Sequence, residues 1–305
     1  MKERITQTEL TTFSRCEERH RLRYSQRLVP LVEHPALSMG SAFHAGIEAL
    51  DPAASVQYLR DTHGQSWDRW EGDDALVREA VVVAMVGGAL AVWGEWPTQQ
   101  EVQFEVPLLN PGTGSASKKH TLSGVLDGVW AKGEHPDHPG EVVIGEWKTA
   151  SVVNRDYIQR LEMDFQVSTY LWAWSLLTGA PVRKAVYRVV KKPTIRQKKG
   201  ESASDYAARV KDDYLNRPEH YFFEELVTRT DEQLAAWERQ AWATHKRVLQ
   251  IQRGNVDAIR NTQSCISRGR CPYFDLCVGA VTEDAFNKLP TKHRELREKS
   301  NGNHS

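Results

Sequence analysis

Two apolar segments flank a short proline-rich turn, and that arrangement constrains the chain most. "HTLSGVLDGVWA" (120–131) precedes "KGEHPDHPG", and "EVVIGEWKTA" (141–150) follows it. Strand segments joined this way pair as an antiparallel hairpin. With the turn centred between Pro136 and Asp137, residues whose numbers sum to 273 lie opposite one another. Asp127 then faces Glu146, with Cβ atoms about 5 Å apart. Lys148 shares the face of Glu146, because side chains alternate along a strand. Like charges on one rung destabilise a plain sheet. Two adjacent carboxylates also push one pKa upward unless a positive group compensates. A divalent cation held by hard oxygen ligands, Mg²⁺ or Mn²⁺, supplies that compensation. The plainer reading of the spacing is a Glu–Lys surface pair beside an unrelated Asp.

The remaining pattern alternates between the two periodicities. Residues 8–24, 38–62 and 73–95 read as helices, the last long and largely buried. "EVQFEVPLL" (101–109) alternates as a strand, and "NPGTGSASKK" reads as a turn before the hairpin. Residues 154–178 carry helical spacing up to the stop signal "TGAP". Strands follow at "PVRKAVYRVV" and "YFFEELVTRT", separated by a polar, basic arm at 192–218 with a short helix. Thr230 and Gln233 stand at capping-box spacing and open a helix that runs to Gly254. The order predicts an α/β fold with a mixed central sheet flanked by helices. It predicts one domain over 1–289, with a core at about 100–230, helical regions at 1–95 and 231–289, and a flexible tail at 290–305.

Lys and Arg together number 40 against 40 Asp and Glu, so net charge does not point to a partner. The distribution is uneven. "RKAVYRVVKKPTIRQKK" (183–199) holds eight basic residues and no acid. Lys191, Lys192 and Arg196 in this run suit a surface that tracks phosphates. A solvated face is the plain alternative. No apolar run is expected to reach the roughly 20 residues of a membrane span. The N-terminus lacks an apolar core of a secretory signal, so a cytoplasmic location without membrane partners is the expectation.

Cys16 lies near the N-terminus, and Cys265, Cys271 and Cys277 cluster in "CISRGRCPYFDLC". In a cytoplasmic chain of this length such a set points to metal or cluster ligation rather than disulfides. Four thiolates suit a [4Fe–4S] cluster or a zinc ion. The C-x₅-C-x₅-C spacing lacks the close pair that zinc sites usually show. Free buried cysteines remain the alternative.

Taken in order, His44 in "GSAFH", Asp127 in "GVLDGV", Glu146 and Lys148 in "GEWK", and Gln166 and Tyr170 in "QVSTY" resemble the motif series of the PD-(D/E)XK nucleases. The resemblance is narrower to the RecB-like exonuclease branch, which includes helicase-linked nuclease domains and the iron–sulfur exonucleases of CRISPR adaptation. It runs from about residue 14 to 277. Leu126 stands where the superfamily's name places Pro, and Glu146 where Asp is commoner.

The resemblance implies a restriction-endonuclease-like core. It implies that His44, Asp127, Glu146 and the Trp147 carbonyl hold Mg²⁺ or Mn²⁺, with Lys148 assisting the attacking water. Gln166 and Tyr170 would position their helix and the DNA backbone. The four cysteines would hold a [4Fe–4S] cluster that joins the two helical regions. The implied function is a metal-dependent DNA exonuclease with little sequence specificity, acting on single strands or duplex ends. Its setting would be recombination, repair, phage or CRISPR-adaptation processing, alongside a helicase, recombination or CRISPR-adaptation protein. A non-catalytic DNA-binding or assembly factor on the same fold is the rival.

Overall fold

The computed structural model describes residues 2–31, 35–63, 73–267, 269–293 and 296. Strand β1 (Glu3–Thr6) leads into α1 (Gln7–Arg15), and the Thr6 side chain caps the helix by accepting from the Glu9 amide. The helix expected over 8–24 breaks at Cys16, whose φ of −165° is extended. It resumes as α2 (Glu17–His20) and a π turn over Arg21–Ser25, followed by β2 (Leu28–Pro30). Three helices come next: α3 (Pro35–Glu48), α4 (Pro52–His63) and α5 (Asp73–Trp93). Strands β3 (Gln99–Leu109), β4 (Ala116–Trp130) and β5 (Val143–Ala150) form the central meander.

After β5 come α6 (Arg155–Gln159), a 3₁₀ turn (Arg160–Met163) and α7 (Phe165–Thr178). The single helix expected over 154–178 is therefore split. Asp164 adopts extended backbone and caps α7, its side chain accepting from the Val167 amide. Strand β6 (Lys184–Lys191) precedes α8 (Ala203–Asn216), α9 (Pro218–Tyr221) and β7 (Phe222–Thr228). Helix α10 (Asp231–Gln252) opens on the Thr230–Gln233 capping box that the sequence predicts. α11 (Phe274–Cys277) and β8 (Phe286–Lys288) close the chain, with β8 paired to β2.

The main sheet runs β1-β4-β5-β6-β7, with β3 on β4 as well. β5 and β6 are parallel, as are β1 and β4; the other pairs are antiparallel. The sheet is mixed, as the sequence predicts. Its two faces feed separate cores, and β6 shows why. Ala185, Tyr187 and Val189 enter a core shared with α1, α7 and α10, whereas Val186 and Val190 enter one shared with α3, α5 and α8. That is the period-two alternation of a strand covered on both sides.

Four further features differ from the sequence-based expectation. First, β4 begins at Ala116, inside the segment assigned to a turn, because β3 supplies a long partner. Second, the basic arm is not a free appendage. Tyr206, Val210 and Tyr214 recur every four residues on α8, all at 7% exposure or less, and pack in the second core. Burying side chains of that size stabilises by roughly 1.5–3 kcal/mol each, and the flanking charges hid the stripe.

Third, the span Ala75–Trp93 of α5 has the length and mean hydropathy, 1.9, of a membrane-crossing segment. The expected largely buried helix is buried along one stripe: Val82, Met85, Val86 and Ala89 are fully buried against α3, α4 and α8, whereas Leu76, Val83 and Val92 are exposed. Fourth, Lys292 and His293, placed in the flexible tail, are held by the buried carboxylate of Glu9. The tail beyond them, apart from Leu296, lies outside the described residues.

Candidate active site

The hairpin pairs Gly128 with Gly145, Val129 with Ile144 and Trp130 with Val143. Each pair sums to 273, the predicted register. The ladder stops one rung short of Asp127 and Glu146. In its place the Asp127 side chain takes over the pairing. Its Oδ2 accepts from the Trp147 amide at 2.7 Å. The carboxylate is thereby aimed by the neighbouring strand itself, and little of it is exposed.

Helix α3 approaches the same point from the other side. Gly40 lies against β5: a Cβ there would make an ordinary 3.8 Å contact with Thr149 Oγ1. His44, one turn on, points its Nδ1 at Asp127 Oδ1 from 3.6 Å. Burial holds the His44 pKa down, against the pull of Asp127 and a hydrogen bond to the Trp147 backbone. The ring is therefore biased toward its neutral form, which can ligate a metal.

A third candidate ligand was not foreseen. On β3, Gln100 pairs with Gly128 and Val102 with Leu126, so Glu101 occupies the rung that faces Asp127. Its φ is +49°, in the left-handed region that a non-glycine residue rarely adopts. Strain of this kind costs of order 1–3 kcal/mol and clusters at functional sites. His44, Glu101 and Asp127 each offer a ligand atom, and these atoms all lie within 4.8 Å of one another.

Glu146 stands outside that trio. It is 1% exposed, and one carboxylate oxygen contacts the Lys148 ammonium while the other has no hydrogen-bond partner. Burial, then the charge of Asp127, raises the Glu146 pKa against the opposing effect of Lys148. The Lys148 pKa is raised although burial opposes it, because Glu146 and Asp127 favour the ammonium. Tyr170 on α7 completes this wall. Gln166 Nε2 donates to its hydroxyl at 2.9 Å, and burial with the nearby carboxylates keeps the phenol neutral.

The structure thus gathers the predicted set in two adjoining groups: His44 with Asp127 and the Trp147 backbone, and Glu146 with Lys148 and Tyr170. The predicted basic residues border them. Lys191 pairs with Ala150 in the β5–β6 ladder, two residues beyond Lys148. The Lys192 amide donates to the Ala150 carbonyl, and Arg196 is exposed beyond it. Lys191 Nζ lies 3.1 Å from His220 Nε2.

Behind the site stands a buried Arg188. Its guanidinium lies 4.8–5.4 Å from the ring centres of Trp93, Trp96, Trp130 and Trp147. It donates to Glu224 Oε2 and to the Glu95 carbonyl. Trp147, between Glu146 and Lys148 in sequence, is one wall of that cage.

The cysteines converge from both chain ends. The Asn261 amide donates to Cys16 Sγ at 3.5 Å, and Cys265 Sγ lies 3.8 Å from the Asn261 carbonyl. The Cys271 amide donates to the Cys265 carbonyl. Burial raises the Cys277 thiol pKa against the pull of Arg260, and neighbouring Glu18, Cys271 and Cys16 add to the rise. None of the four is in a disulfide.

A family model described as the PD-(D/E)XK nuclease superfamily matches residues 4–278. Among solved structures, a crystal structure from Eubacterium rectale of a protein named a "Putative exonuclease" aligns with a TM-score of 0.56. The alignment covers 92% of this chain and 89% of that one at 14% identity, a likeness of fold alone. No match was found among curated proteins.

Proposed function

The chain belongs to the PD-(D/E)XK nuclease superfamily, whose members use divalent metals, and we propose that it is a metal-dependent DNA exonuclease with little sequence specificity. The observation that carries this reading is the convergence of His44, Glu101 and Asp127 beside the buried Glu146–Lys148 pair. A plain fold element has no use for three acids and a neutral histidine on one wall.

The donor set fits a hard divalent cation. His44 offers a ring nitrogen, Glu101 and Asp127 offer carboxylate oxygens, and Glu146 has a buried oxygen without a partner. Mg²⁺ or Mn²⁺ matches these ligand types, and the Trp147 carbonyl adds a further oxygen. A cation bound there supplies Lewis-acid activation of water and neutralises charge at the scissile phosphate.

The protein's own groups do the rest. Asp127 is oriented by the Trp147 amide. Lys148 is held as an ammonium by Glu146 and Asp127. In that form it suits donation to a phosphate oxygen or orientation of a water, rather than proton abstraction. Gln166 and Tyr170 fix the α7 side of the site, and Lys191, Lys192 and Arg196 suit the DNA backbone leading away from it.

Cys16, Cys265, Cys271 and Cys277 are proposed to hold a [4Fe–4S] cluster. Contacts of Cys16 and Cys265 with Asn261, and of the Cys271 amide with the Cys265 carbonyl, support this. The cluster would tie α1–α2 to the loop after α10. The RecB-like branch, a cytoplasmic location, and work beside a helicase, recombination or CRISPR-adaptation protein complete the reading.

The test uses end-labelled single- and double-stranded DNA with Mg²⁺ or Mn²⁺. Stepwise loss of label that disappears in Asp127→Ala and Lys148→Ala is expected. Degradation undiminished in both variants would refute the assignment. Anaerobically purified protein should be brown, and a colourless preparation containing zinc would sink the cluster.

A further inference from the structure

A cleft of about 660 Å³ opens at the end of the sheet remote from the catalytic groups. Arg27, Lys119, Arg253 and Lys292 line it, with the buried Tyr24 beneath and Glu3 as its acid. Lys119 and Asp127 are eight residues apart on β4, which separates the cleft from the active site by roughly 26 Å.

Two of the four cations are fixed by buried or local acids. Lys119 pairs with Glu3. Lys292 Nζ lies 2.8 Å from Glu9 Oε1, and Glu9 is fully buried and shared with His20 and His293. The other two have no ion-pair partner among the described residues. Arg27 Nη1 donates only to the Pro290 carbonyl, which leaves its charge intact. Arg253 caps α10 at its C-terminus. The cleft therefore carries a net positive charge in a chain whose total is zero.

Below Arg27, Tyr24 is held between His20 and His293, with ring centres 5.3 and 5.6 Å away. The Arg23 guanidinium lies 5.1 Å from the same ring centre, and Tyr24 is buried, a floor under the cleft rather than a face open to it. His120, fully buried beside Glu3, has no hydrogen-bond partner on either ring nitrogen. Two acid-paired lysines and two arginines without an acidic partner among the described residues, in a cleft within the ~300–1,000 Å³ range of small-molecule sites, match one ligand chemistry. Phosphate oxygens meet guanidinium forks and ammonium groups there.

We propose that this cleft binds a phosphorylated nucleotide unit, carried by a nucleic-acid strand or free in solution. The site is separate from the catalytic cluster and uses Arg27 and Arg253 as its principal phosphate contacts.

The experiment compares the wild-type chain with Arg253→Glu, Arg253→Gln and Arg27→Gln. Binding of a fluorescein-labelled oligo-dT is measured across a salt series in EDTA. Without divalent cations the outcome does not depend on the catalytic reading. A second arm measures the thermal shift given by dADP. If a strand occupies the cleft, Arg253→Glu weakens binding about tenfold and lowers the salt slope by about one, Arg253→Gln gives part of that loss, and dADP shifts nothing. If the ligand is a free nucleotide, dADP raises the wild-type Tm and the shift shrinks in each variant, with strand binding unchanged. Equal strand affinity, salt slope and dADP shift across all four proteins overturns the proposal.

Discussion

The amide of Trp147 donates to Oδ2 of Asp127 at 2.7 Å, where the hairpin ladder would otherwise have placed its next rung. One side chain thus serves as a structural acceptor on one oxygen and faces His44 with the other. These roles separate by substitution. Asp127→Asn keeps an acceptor for Trp147 and should hold its Tm near wild type while losing metal-stimulated cleavage. Asp127→Ala leaves a buried amide unpaired and should also cost about 1–3 kcal/mol of stability. Denaturant titration beside the cleavage assay checks both, and equal stability of the two variants would show that the Trp147 bond contributes nothing.

Lys148→Met removes the cation beside a fully buried Glu146. The Glu146 pKa is already raised above its ordinary 4.5 by burial and Asp127, and loss of Lys148 raises it further. A folded carboxyl with a raised pKa binds protons that the unfolded chain has released. Stability is then lost as pH rises above about 4.5 through the folded value. The Tm deficit of Lys148→Met, measured in EDTA, should therefore grow with pH. A deficit independent of pH would mean that Glu146 is not the group left uncompensated.

Arg188 ties Trp147 to three other indoles and to Glu224. Arg188→Met fills part of its volume but removes the charge that the rings face. A loss of about 1–3 kcal/mol is expected from the lost cation–π contacts and hydrogen bonds. Tryptophan emission should shift as the cage loosens. Unchanged emission and stability would mean that the cage is decorative.

His120 and His245 are buried, and burial lowers both pKa values to about 4. Their rings meet edge to face at 5.1 Å, and Ser117 Oγ lies 3.0 Å from His245 Nε2. The unfolded histidines take protons below about 6.5 while the folded ones do not until about 4. Stability should fall as pH drops through that window, by at most about 1.4 kcal/mol per pH unit for each proton. His245→Gln should flatten the acid limb of a Tm-against-pH curve. A limb of unchanged slope would assign the acid sensitivity to other groups.

The hairpin register and the order of His44, Asp127, Glu146 and Lys148 were legible in the sequence because each depends on local periodicity or a short turn. Glu101 was not. Its place opposite Asp127 depends on the β3–β4 pairing, and its positive φ leaves no mark in the residue type. The four residues of β1 were also hidden, since a short parallel strand gains its identity only from β4. The break at Cys16 went unseen because the partner that holds it open, Asn261, lies 245 residues away. Helix α8 misled for the opposite reason: its charges advertised an exposed arm, and three spaced apolar side chains outweighed them.

Gly128 and Gly145 form one rung of the hairpin, and both lie under the Trp147 indole. A Cβ on Gly128 would come within 2.6 Å of Pro97 and 2.9 Å of Trp147, and one on Gly145 would run into the Trp147 ring. Sliding either strand by one residue would bring a side chain under that ring. The spacing of Asp127 from Glu146 is therefore policed by a vacancy. Gly128, on the opposite strand from the indole, acts as the gauge, and the chain can close over the ring only when its acids are in step.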